Sequence, residues 1–391
     1  MSDAAARMRA LGGEERVVLD VGSRICRAGF SGEPAPRVML DAAALCSDAL
    51  GEPLDALWEL NLMLAHDTRT TQWRYARLVR CLNHLLRRVF QEHLQTDATQ
   101  RKVLLVCGPL QMDAVQHALC DTLLQRLGAP CVSLIDSHVL SLVATGRMSG
   151  LVVDCGYLET CVMPVYGGRP MRHLVRTTPR AGQHLSKGVH ALLRDALGHD
   201  VPPAHVEAVK TQALLVGEPP ERGAAACVAP LDVDAFAARY SGAKDASSLR
   251  LRTADGAVLE VPGWVRERAA EVLFEPGDED EASIIECVEQ CAVRLPMDLR
   301  REVLASVVLA GGTAMLPGFA RRFQASLAAE LAPHPHLARS VRVLNAPQHE
   351  DAPMPMPGLP SNLLPWIGAS IAGSLKADGV VEVDRAEWAA G

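Results

Sequence analysis

Two aspartates stand at the ends of apolar runs, and each is followed by a small tight turn: Asp20 in VVLDVGSRICRAGF and Asp154 in LVVDCGYLETCVMPVY. Both stretches read strand, aspartate, glycine-bearing turn, strand, with Gly22-Ser23 in the first turn and Gly156 in the second. A glycine turn exposes successive backbone N–H groups, and such a nest can cradle a phosphate. An aspartate at each strand end could hold Mg²⁺ through its water shell. A third segment, Gly311-Gly312-Thr313, follows the apolar run 307–310. It would let backbone come close to a ligand, because glycine has no Cβ to obstruct the approach. Any one of these turns is ordinary punctuation. Their order and spacing suggest two lobes of similar construction whose hairpins clamp a triphosphate tail.

The elements that must position these turns alternate between strand-length apolar runs and helical periodicity, which predicts α/β architecture. Strands are expected at 16–20, 25–30, 103–108, 132–136, 151–154, 160–166 and 307–310. The segment 73–95 is amphipathic, with Leu78, Leu82, Leu85, Leu86, Val89, Phe90 and Leu94 along one face. Arg74, Arg77, Arg80, Arg87 and Arg88 occupy its other positions, where a solvated helix face is favoured over nucleic-acid binding. Further helices are expected at 114–127, 139–145, 185–197, 204–215, 279–293, 298–305, 319–332 and 366–375. Asp255-Gly256, between apolar runs, predicts a tight hairpin. GEPPERGAAA (217–226) reads as a loop, and DAPMPMPGLP (351–360) as a proline-rich connector.

Composition narrows the class. The chain of 391 residues has 49% hydrophobic content, enough for one or two packed domains. Its 39 basic and 46 acidic residues leave a formal charge of −7, which does not favour nucleic acid or an anionic membrane as partner. No run of about 18 apolar residues appears, so no membrane insertion is expected; nor does the opening segment resemble a signal peptide. The 11 cysteines contain no CxxC pair and read as reduced core thiols in a cytoplasmic protein rather than as disulfides or metal ligands.

Four segments, in order, resemble the actin family. DVGSRICRAGFSGEPAPR (20–37) is similar to the family's first phosphate loop, and SHVLSLVATGRMSGLVVDCG (137–156) to its inter-lobe helix and second phosphate loop. PMDLRREVLASVVLAGGTAMLPGF (296–319) resembles the adenosine-site segment, and PWIGASIAGSL (365–375) the final lobe-crossing helix. The resemblance implies two lobes and four subdomains around a central nucleotide cleft, as in the sugar-kinase superfamily. Lobe one would hold 15–146 plus 363–391, and lobe two 147–362. It further implies ATP or ADP with Mg²⁺, either trapped as a structural ligand or missing. By motif, Gly22, Ser23 and Arg27 would face the phosphates, Arg27 standing where the family usually has lysine. Asp20 and Asp154 would lie near Mg²⁺, beside Gly156. Gly182 and Lys210 would border base or ribose, with Gly311, Gly312, Thr313 and Met315 opposite.

The departures are informative. The family's water-orienting glutamine position is Ser137, and its nearby histidine position is Cys161. Serine is too short, and cysteine lacks imidazole's geometry, so no catalytic residue is assigned and hydrolysis is expected to be slow or absent. Arg24 and Tyr157 replace smaller or acidic residues and add bulk beside the phosphates. The stretch 41–70 is short where relatives carry an insertion loop, and the chain ends soon after its last helix. DCGYLETCVMPVYGG and LFEPGDEDEAS narrow the resemblance to actin-related subunits of the dynactin pointed-end complex. That implies a cytoplasmic, cytoskeletal cap whose partners are filament-forming actin-related subunits and pointed-end subunits. A subunit of a nuclear chromatin-remodelling complex is the alternative, and a sugar or acetate kinase lacks a candidate base.

Overall fold

The computed structural model describes residues 15–50, 68–217, 248–275, 281–346, 358–375 and 381–390. It begins β1 (Val17–Val21), β2 (Ile25–Phe30), β3 (Val38–Asp41), α1 (Ala42–Leu50), α2 (Thr68–Arg88), β4 (Val103–Cys107), α3 (Asp113–Asp121), β5 (Cys131–Asp136) and α4 (Ser137–Ala144). Next come β6 (Gly150–Cys155), β7 (Thr160–Tyr166), β8 (Arg169–Pro170), β9 (Arg176–Thr178), α5 (Gly182–Leu197), α6 (Pro203–Gln212), β10 (Leu249–Arg252) and β11 (Val258–Val261). The chain continues through α7 (Gly263–Glu271), α8 (Ile284–Arg294), α9 (Met297–Leu304), β12 (Val307–Ala310), α10 (Phe319–Glu330) and α11 (Pro335–Ala338). It closes with α12 (Leu364–Leu375), β13 (Val381–Asp384) and α13 (Arg385–Ala390). Two compact units result: residues 1–148, 167–170 and 363–391, and residues 149–166 and 171–362.

The first unit is built on a six-stranded sheet ordered β13-β5-β4-β1-β2-β3. β1, β4 and β5 are parallel, and β1–β2 and β2–β3 are antiparallel hairpins. β4 is buried at every residue, which fits a central strand covered on both faces. Helix α2 lays Leu78, Leu82, Leu85 and Leu86 into the core, joined by Val89 and Phe90 from a π-helical turn, Val89–His93. The apolar stripe expected from the sequence is therefore the buried one. Helix α12 is apolar on nearly all sides and buried from Leu364 to Ser370; its Trp366 donates Nε1–H to the Val18 carbonyl at 3.3 Å.

In the second unit β12 runs parallel to β6, β6 is antiparallel to β7, and β7 also pairs with β9. Helices α8, α9 and α10 supply its main core, with Phe319 and Phe323 fully buried. A smaller core joins α5, α6, α7 and the β10–β11 hairpin. That hairpin turns at Gly256, with φ of 87°, where Asp255-Gly256 predicted it.

Some expectations fail for physical reasons. Helix α8 starts at Ile284 rather than 279, because Ser283 and Glu286 form a reciprocal capping box. Beyond α12, where no further element was expected, β13 extends the first sheet antiparallel to β5, and Glu382 pairs with Arg16 at 3.0 Å. The stretch 41–70 opens with a helix, α1, while 51–67 lie outside the described residues. So do most of the expected 217–226 loop and of the 351–360 connector. Every described cysteine is buried and free, and burial pushes the Cys26 thiol up to about 12. Among the described residues no helix is long and apolar enough to cross a membrane.

Candidate functional site

In the first unit the β1–β2 turn closes through a hydrogen bond from Gly22 N–H to the Ile25 carbonyl at 3.1 Å. A Cβ on Gly22 would stand 3.0 Å from that oxygen, so the turn is tight enough to favour glycine. Ser23 is half-buried beside it. Asp20 and Arg27 are register partners across the hairpin, and Arg27 Nη1 donates to Asp20 Oδ2 at 2.9 Å. Their side chains are only 15% and 12% exposed. Burial pushes the Asp20 carboxyl above the usual range, and the Arg27 charge opposes that shift. Arg24 reaches Asp41 at 2.9 Å, at the start of α1.

Ser137 opens α4. Asp136 caps this helix by accepting from His138 N–H at 2.9 Å, and Ser137 Oγ lies 3.1 Å from His138 Nδ1. Ser137 and His138 are both buried.

The second unit repeats the hairpin construction. Gly156 N–H donates to the Glu159 carbonyl at 3.1 Å, and Asp154 is the register partner of Cys161. Asp20 thus corresponds to Asp154, and Arg27 to Cys161. Gly156 also ties three segments together: its carbonyl accepts from Gly182 N–H at 3.1 Å and from Thr313 Oγ1 at 2.8 Å. Gly311, at the end of β12, has φ of 88°, and a Cβ there would fall 2.2 Å from the Cys155 carbonyl oxygen and 2.6 Å from Asp154 Oδ1. Only glycine fits that crossing. Gly312 follows with open space around it, and Met315, ending the short turn Thr313–Met315, is 48% exposed.

Lys210 is drawn into the same assembly. Its ammonium lies 2.8 Å from Glu207, 3.0 Å from Ser186 Oγ and 3.4 Å from the Gly182 carbonyl. It also sits 4.9 Å from the centre of the Tyr157 ring, a cation–π arrangement. Asp154, Gly156, Gly182, Lys210, Gly311, Gly312 and Thr313 therefore belong to one group of linked segments, and Asp20, Gly22, Ser23 and Arg27 to the other hairpin. Sequence reasoning missed the supports. Asn345 clamps the β12 backbone, accepting from Leu309 N–H at 3.0 Å and donating to its carbonyl at 2.7 Å. Glu207 was legible as the i,i+3 partner of Lys210; Asn345 carries no local signal.

The family model for actin matches residues 12–215 and 255–390. This chain belongs to the actin family. It is 27% identical over 382 residues to Actin-like protein 9 of Rattus norvegicus, covering 92% of this chain and 83% of that relative. The family's fold normally binds a nucleotide with a divalent metal. Buried Arg27 Nε has no hydrogen-bond acceptor among the described residues. That nitrogen is closed to solvent and Nη1 is held by Asp20, so it is the guanidinium charge in the strand after the Gly22 turn that is compatible with a phosphate. Asp20 fits a metal less directly, because Arg27 already holds its carboxylate. Among the described residues no three His, Cys, Asp or Glu side chains gather as a metal group.

Proposed function

We propose that this chain is a non-hydrolysing structural subunit that caps the pointed end of the actin-related filament of dynactin, in the cytoplasm, and so supports dynein-driven transport along microtubules. The observation that carries the loss of hydrolysis is the state of Ser137. Its hydroxyl is buried and engaged with His138 Nδ1 at 3.1 Å, at the position where relatives orient the attacking water. Cys161, at the position that usually carries a histidine near that water, is buried in β7. Positioning that water is much of what a protein contributes to phosphoryl transfer.

Nucleotide is then a structural ligand. Ser23, Arg27 and the Gly22 turn would hold phosphate from one hairpin, and the Gly156 turn from the other. Lys210, Gly182, Gly311, Gly312, Thr313 and Met315 would border the nucleoside. Asp20 and Asp154 would lie near Mg²⁺ and meet it through water. The capping role draws support from length: 41–70 is short, and helix α1 takes up its first part. A subunit without a full insertion loop receives a neighbour on one side and offers little to the next, as a terminal position requires. The dynactin assignment draws support from the segments 154–168 and 273–283.

Affinity purification of the tagged chain from a cytoplasmic extract, followed by mass spectrometry, tests this reading. Recovery of filament-forming actin-related subunits with the pointed-end subunits is expected. Recovery of chromatin-remodelling ATPases in their place would move the chain to the alternative assembly and leave its family membership intact.

A further inference from the structure

Helix α2 is out of balance with the molecule that carries it. The chain is acidic overall at −7, yet this helix holds six arginines and no aspartate or glutamate. Ala76, Arg80, Asn83 and Arg87 follow at helical spacing along the face opposite the core, and Ala76, Arg80 and Arg87 are exposed. Arg87 reaches only Asn83, at 3.1 Å, and Arg80 meets no carboxylate among the described residues.

A second element faces this stripe. After α3 the backbone widens into a π-helical turn, Thr122–Arg126, a feature that often marks functional sites. Leu123 and Leu124 go inward, and Arg126 stays at the surface with its side chain 51% exposed. Its contact with Asp121, at 3.4 Å, is an exposed pair that contributes little. Between the two elements lies an open concavity of about 350 Å³, walled by Tyr75, Ala76, Val79, Arg80, Asn83 and Arg126. Its floor is apolar, and two guanidinium groups stand on its rim.

We propose that this concavity is a docking site for an acidic segment of another protein, with an apolar side chain seated against Tyr75, Ala76 and Val79 and carboxylates paired to Arg80 and Arg126. Charge complementarity names the occupant: guanidinium forks match carboxylates in pairs, and the apolar floor accepts a side chain. Nucleic acid fits less well. A strand-binding surface follows the phosphate backbone along a continuous basic groove with stacking platforms, whereas this patch is local and Asp121 stands beside Arg126 on its rim. The inference is independent of the dynactin reading.

Fluorescence anisotropy on the full chain tests it, with a labelled peptide of alternating glutamate and leucine as probe. The intact protein is expected to bind the peptide. The double variant Arg80→Glu/Arg126→Glu should weaken binding by about tenfold or more. Ala76→Trp, which fills the concavity and leaves every charge in place, should weaken it as well. Thermal melting should be unchanged in both variants, because the altered positions are exposed. Undiminished binding by either variant, no binding by the intact chain, or displacement of the peptide by single-stranded DNA at equal or lower concentration would overturn the proposal.

Discussion

Asp20 and Arg27 meet across the first hairpin with most of both side chains withdrawn from water. Burial holds the carboxyl above its ordinary range while the guanidinium pulls it back. The folded protein therefore keeps this proton more firmly than the unfolded chain does. Through the window from the ordinary aspartate value up to the raised one, rising pH removes stability. Arg27→Met takes away the opposing cation and widens that window upward. The variant is expected to lose about 3–5 kcal/mol near neutrality, the usual cost of stranding one member of a buried pair. Part of the loss should return as pH falls and Asp20 takes up its proton, and adding Asp20→Asn should restore most of it. Urea unfolding across a pH series checks this; a loss indifferent to pH would show that the pair does not govern this hairpin. At this scale the sequence made the aspartates and glycines legible, because strand ends and tight turns restrict residue type. It did not reveal that Arg24 is drawn to Asp41 or that Tyr157 stacks on Lys210. Those partners are set by side-chain packing between segments distant in the chain.

Helices α4 and α12 show the same division between local signal and tertiary demand. The apolar run of α12 was readable as a helix. The contact at its Gly368 was not readable, yet a Cβ there would lie 1.9 Å from the Leu140 carbonyl oxygen in α4. Glycine inside a helix ordinarily costs about 0.5–1 kcal/mol relative to alanine. Close packing reverses the sign here. Gly368→Ala is expected to destabilise the protein by about 1–3 kcal/mol through overpacking, seen as a lower denaturation midpoint with an unchanged slope. A stabilised variant would mean the helices separate freely. Strand β13 escaped the sequence reading because four residues carry little periodicity. It owes its place to pairing with β5 and to the Glu382–Arg16 contact at 3.0 Å. The sequence reading passed over the Ser283–Glu286 spacing of a capping box, and that box, rather than the helical pattern further upstream, sets the start of α8.

At the scale of the whole molecule, the two units share one hairpin design, and the repeat was visible in the sequence as strand, aspartate, glycine turn, strand. What separates a filament former from a cap lies outside that repeat. Head-to-tail assembly propagates only if each subunit offers two complementary faces. With α1 occupying Ala42–Leu50 and α2 beginning at Thr68, residues 51–67 are all that remains for an insertion loop in this region. The proposed cap should therefore stay monomeric when incubated alone with Mg²⁺ and ATP in polymerising salt. It should release no phosphate above the buffer rate, because on the proposed reading Ser137 and Cys161 leave the water unpositioned. Sedimentation and a phosphate assay on one sample read the two expectations separately. Filaments without phosphate release would remove the capping argument and keep the loss of hydrolysis. Phosphate release from a monomer would do the reverse, and would place the attacking water under side chains other than these two.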